Sequence, residues 1–214
     1  MRLKLFPIIF FIAIMAITST CQASQTNQVL LGAMSPFEDM IEYALAGKDS
    51  DVLKALTIAD QNSKSIATTL PAPAAHKFTA LMDALRQAAT IKNNRKTARC
   101  AVEIFRLLAE ILQADSFELP KEVSLLDYAG FKLLILAASK KPDWRAIRTT
   151  INETTSWWNA IRSKVTMNGL SNTFDTLICG LETSAKTRNL DMLGFAAQMT
   201  LDLVDLLEDD MNRQ

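Results

Sequence analysis

The chain has 214 residues with 23 basic and 23 acidic side chains, and 49% of it is hydrophobic, enough for a sizeable core. This neutral balance, with no basic stripe to neutralise phosphates, excludes nucleic acid as an expected partner. Six Gly, six Pro and few alternating β-branched runs point to an all-α fold of about eight amphipathic helices in antiparallel hairpins.

Residues 1–23 read as an export signal. Arg2 and Lys4 form a basic start, Leu5 to Ile17 is almost wholly apolar, and Cys21-Gln22-Ala23 places small side chains before a cleavage point. The apolar run is shorter than the roughly 20 residues a bilayer span needs, and Pro7 interrupts it. The expected product is a periplasmic protein cleaved after Ala23, with Ser24 first. The alternative is a lipoprotein acylated at Cys21, against which stands Thr18-Ser19-Thr20 in place of the usual Leu and small residues. Removing Arg2 and Lys4 leaves the exported chain two charges negative. Membrane contact is expected only if Cys21 is lipidated.

Residues 24–34 read as a polar lead-in. Ser35-Pro36-Phe37-Glu38 then has the pattern of a capping box with Pro at the first helical position. The first helix expected there puts Phe37, Met40, Ile41, Ala44 and Leu45 on one face, and Gly47 closes it. Asp49 and Ser50 start a second helix, whose middle, Asp60 to Ser65, is strongly polar. A third follows Pro71-Ala72-Pro73, and a fourth follows Asn93-Asn94.

Asp115 to Pro120 is the main break. Val123 to Ala138 is apolar on most sides, with only Asp127 and Lys132 charged, which marks a helix buried between others. Trp144, Ile147, Ile151, Thr154, Trp158, Ile161 and Val165 make a heptad seam. Asn168-Gly169 is expected to end that helix and Ser171 to cap the next. In the last helix Leu193, Ala197, Thr200, Val204 and Leu207 face inward, and Glu208-Asp209-Asp210 should fray its end against the helix dipole.

The chain also resembles itself. At a shift of about 92 residues, Ala46, Lys48 and Asp51 fall on Ala138, Lys140 and Asp143. At about 96, Phe78, Leu85, Ala89 and Asn93 fall on Phe174, Leu181, Ala185 and Asn189. Two related four-helix units are expected, residues 35–114 and 120–211, the second packed on the first.

The chemistry-bearing residues are few. His76 is the only histidine, which excludes paired-histidine metal sites, and no CxxC, GxSxG or phosphate-cradling glycine loop occurs. In an oxidising compartment Cys100 and Cys179 either pair, closing a loop of about 80 residues, or stay as small buried hydrophobes. Exported haem-binding bundles use a methionine on the first helix and a histidine on the last. No histidine stands on the fourth or eighth helix here, so membership of that family does not follow; Met40 with His76 across the bundle is the remaining ligand reading, with haem or another apolar molecule between helices. Asp127, on a buried helix, needs a hydrogen bond, a proton or a base such as Arg148 or Arg162.

Trp157 lies beside the heptad seam, and with Arg148 and Arg162 it forms the expected partner surface. The function expected from these features is non-enzymatic: an adaptor, accessory subunit or sensor-type scaffold that contacts a periplasmic or membrane-associated protein. The alternative is a carrier of haem or another apolar ligand. No metal site and no catalytic set is visible.

Overall fold

Apolar side chains three and four residues apart shape every helix of the chain. A computed structural model describes residues 27–112 and 119–213. Residues 1–23, read in the sequence as an export segment, with Cys21 and the expected cleavage point after Ala23, and residues 113–118 of the central connection lie outside these. Among the described residues the architecture is all-α. Helix α1 (27–45) is followed by α2 (Asp49–Thr69), α3 (Ala72–Thr90) and α4 (Asn94–Ile111). After the central connection come α5 (Lys121–Ala137), α6 (Trp144–Ile161), a 3-10 turn (Arg162–Lys164), α7 (Asn168–Thr187) and α8 (Leu190–Asn212).

Helices α2 and α3, α3 and α4, α5 and α6, and α7 and α8 pack as successive hairpins, and α8 returns against α5. Two hydrophobic cores result. The first gathers α1 to α4, and the second α6 to α8. Helix α5 serves both, because it is apolar on two sides: Leu125, Tyr128, Phe131 and Ile135 enter the first core, and Val123, Leu126, Leu133 and Leu136 the second. No helix among the described residues is long and apolar enough to cross a membrane.

The α5–α8 crossing is close because Gly130 allows it. A Cβ added there would stand 2.5 Å from Leu201 Cδ2, 2.8 Å from its Cγ and 3.3 Å from the Ala197 carbonyl oxygen. Gly130→Val is therefore expected to destabilise the fold by about 2–3 kcal/mol, overpacking outweighing the gain in helix propensity. Urea denaturation followed by circular dichroism checks this.

The two halves share a turn. Lys92 (φ 55°) ends α3 and Arg188 (φ 53°) ends α7, each left-handed and 96 residues apart. The next residue, Asn93 or Asn189, donates its N–H back to Ala88 or Ser184 at 2.9 Å in both cases. The same asparagine then caps the following helix, accepting from Lys96 N or Met192 N. This closes one helix and opens the next within three residues.

Three expected boundaries differ from those observed. The first helix does not begin at Pro36 but runs through it from residue 27. Leu30, Ala33 and Met34 are buried and extend the stripe of Phe37, Met40 and Ile41; their burial offsets the backbone hydrogen bond that Pro36 cannot donate. Asn168-Gly169 opens α7 rather than closing α6, which ends at Ile161. Nor does α8 fray at Glu208-Asp210. Asp210 is buried and accepts from Thr166 N at 2.8 Å and Thr166 Oγ1 at 2.5 Å, tying the helix end to the α6–α7 connection. These bonds hold the Asp210 carboxyl below its usual range.

Candidate functional site

Helix α8 carries two apolar stripes. Leu193, Ala197, Thr200, Val204 and Leu207 are buried in the second core. Offset from them, Met192, Phe195, Met199 and Leu206 recur at spacings of three, four and seven and are at least partly exposed. Phe195 is 70% exposed and Leu206 51%, the first being the most exposed large hydrophobic side chain of the described chain. Beside this second stripe, α7 presents Thr173, Thr176, Leu177 and Gly180. The two helices enclose an open groove of about 460 Å³ whose lining includes no charged side chain. Gly180 lies on its α7 side, and a Cβ added there would meet nothing within 4 Å.

The electrostatics concentrate elsewhere, where acids of α1, α5 and α8 act on one another. Burial raises the Glu38 carboxyl to about 7, helped by Glu208, Asp39, Glu42 and Asp205. Asp127 on α5 is pushed well above the carboxylate range, first by burial and then by Glu38, Glu208, Asp205 and Glu42. Glu208 is also raised, by burial and by Asp205 and Asp209. Among the described residues, however, no three His, Cys, Asp or Glu side chains converge closely enough to hold a metal ion.

A second polar group joins the halves. Arg106 on α4 donates to Glu110 at 2.7 Å, to the Tyr128 hydroxyl at 3.1 Å and to Glu153 on α6 at 3.0 Å. Burial and the carboxylate of Glu103 push the Tyr128 hydroxyl to about 12, although Arg106 works against them. Lys132 of α5 pairs with Glu103 of α4 beside this network.

The residues singled out in sequence are dispersed. Trp157 is half-buried between the two cores and meets Tyr128 edge-on at 6.1 Å, so it joins the halves. Arg162 is committed to Asp175 at 2.7 Å, and Arg148 lies at another groove with Asn152, Glu182 and Lys186. These three do not form one partner surface. Asp127 is set among carboxylates and not beside Arg148 or Arg162.

Met40 is fully buried in the first core, whereas His76 is exposed in the first turn of α3, which divides that pair between interior and surface. The Cys100–Cys179 bond is absent, and both thiols are free. Cys100 packs on the first core from α4, whereas Cys179 is exposed on α7.

No known protein family, curated protein or solved structure matches this chain. The inward stripe of α8 does not by itself disclose the groove. The signal was present in Met192, Phe195, Met199 and Leu206, a second helical stripe one position away from the first.

Proposed function

We propose that the chain is an exported, non-enzymatic helical protein that acts through protein contacts, and that its docking face is the groove between α7 and α8. Phe195 carries this reading. An aromatic ring 70% exposed beside an uncharged groove is costly to leave in water and has the character of an interface anchor. The basic, apolar and small-residue order of residues 1–23 supports export, and the partner is then a periplasmic or membrane-associated protein. Mass spectrometry of the mature amino terminus is expected to find Ser24 first; a lipid on Cys21 would place the same bundle at a membrane surface instead.

The test is a photo-reactive phenylalanine analogue at position 195, irradiated in intact cells. The reading predicts discrete protein adducts, absent when the analogue replaces Arg99. If no adduct forms at position 195, the docking role fails.

One observation favours a second reading. A groove of about 460 Å³ has the volume of a small-molecule site, so an apolar ligand could occupy it. Native mass spectrometry would then find a non-covalent adduct that Phe195→Glu removes. The separation of Met40 from His76 gives haem no support as that ligand.

A further inference from the structure

The docking face has a knob and a hole side by side. Phe195 projects from α8, and open space lies over Gly180 on the neighbouring helix. A surface that carries both elements is matched by itself when rotated about a two-fold axis. We propose that the occupant of the α7–α8 groove is a second copy of this chain, each copy seating Phe195 over the other's Gly180. The proposal rests on the docking role argued above and names its partner.

Three observations favour a second copy. The first is charge: because the groove lining is uncharged, a two-fold contact brings no like charges together at its centre, where an isologous interface would otherwise oppose each charge with itself.

The second is the comparison of the halves. At the 96-residue shift, Met192, Phe195 and Met199 correspond to Lys96, Arg99 and Glu103, and Thr173 corresponds to Lys77. The matching helix pair of the first half thus carries charge at these places while its core positions are kept as Phe78, Leu85 and Ala101. Folding a bundle of this kind does not require an apolar outer stripe. In the first half, moreover, this side of α4 adjoins α5, as the Glu103–Lys132 pair shows.

The third is area. Side by side, α7 (20 residues) and α8 (23 residues) are about 30 Å long and about 20 Å wide, so a contact that runs beyond the groove along their whole length would cover about 600 Å² per copy and about 1,200 Å² in all. That reaches the lower end of specific interfaces, so a weak, concentration-dependent dimer is expected.

The experiment is sedimentation equilibrium on protein expressed from the full-length sequence and purified in the form the cell leaves it. A concentration-dependent dimer is expected between about 1 and about 100 µM, with Phe195→Glu weakening association at least about tenfold. Because Phe195 is exposed, that variant should keep the parent's helical signal and melting temperature. Met199→Glu should weaken the dimer likewise, and Arg99→Glu should leave it intact.

A chain monomeric up to about 100 µM, or a Phe195→Glu dimer as tight as the parent, would overturn the proposal. Adducts from position 195 separate this from failure of the docking role. A monomeric chain that still cross-links to a different protein loses only the second copy, whereas one that cross-links to nothing loses both.

Discussion

Raising the pH from about 4.5 to above 7 is expected to lower the unfolding free energy by about 3 kcal/mol through Glu38 alone. The folded carboxyl titrates near 7 and the free one near 4.5. Between those values the native state binds the proton that the unfolded state has released, so stability falls as pH rises. Below 4.5 both states are protonated and the contribution is fully present; above 7 it is lost.

The charges facing Glu38 are Asp39 and Glu42 on its own helix, Asp127 on α5, and Asp205 and Glu208 on α8. Asp127 and Glu208 are raised as well, so their contributions have the same sign. Glu38→Gln should flatten the slope and stabilise the protein at pH 8, as should Asp127→Asn. Urea denaturation at a series of pH values in low salt reads the slope, which salt should reduce. Stability constant or increasing over that window would contradict the assignment.

Trp158→Ala is expected to cost about 4 kcal/mol, the largest effect of any single substitution considered. The ring is 2% exposed and stacks on Phe174 with centroids 4.3 Å apart and an 18° interplanar angle. Its Nε1 donates to Asp175 at 2.7 Å, and the same carboxylate receives Arg162. Truncation would leave a cavity in the second core and remove one of the bonds that, after Arg162, hold Asp175 ionised. Trp158→Phe keeps most of the packing and loses the hydrogen bond, so it should cost about 1–2 kcal/mol. Circular dichroism during denaturation measures both; a loss under about 1 kcal/mol for the alanine variant would mean that the second core does not depend on this stack.

What the sequence made legible was periodic. The inward stripe of α8, Leu193, Ala197, Thr200, Val204 and Leu207, recurs every three or four residues, and all five are buried. Asn93-Asn94 marked the turn into α4, and the 96-residue shift set Asn189 on Asn93. The two-sided apolar pattern of α5 marked it as central, since a helix with no polar face must be covered on both sides.

Illegible features depended on what lies across from a residue. Asp127 stood out as a carboxylate on a buried helix, but that its neighbours are Glu38 and Glu208 follows from how α1 and α8 approach α5. Asp210 looked like a destabilising acid at a helix end until Thr166 was found against it. Trp157 looked like a free aromatic because Tyr128, its contact on another helix, is remote in sequence. Pro36 misled because a local rule for helix starts competed with a longer stripe, and burial of Leu30, Ala33 and Met34 prevailed.

The central claim is that the α7–α8 face is covered by protein where the chain works. Thiol labelling of Thr176→Cys, an exposed position in the groove lining on α7, in a Cys100→Ala, Cys179→Ser background tests it most directly with Phe195 in place, comparing the maleimide reaction rate in intact cells with that of purified, highly diluted protein. A covered face predicts a rate in cells at least about tenfold slower, with a cysteine in place of exposed Arg99 reacting equally fast in both settings. Equal rates at position 176 would mean that the groove stands open in the cell, which contradicts the account.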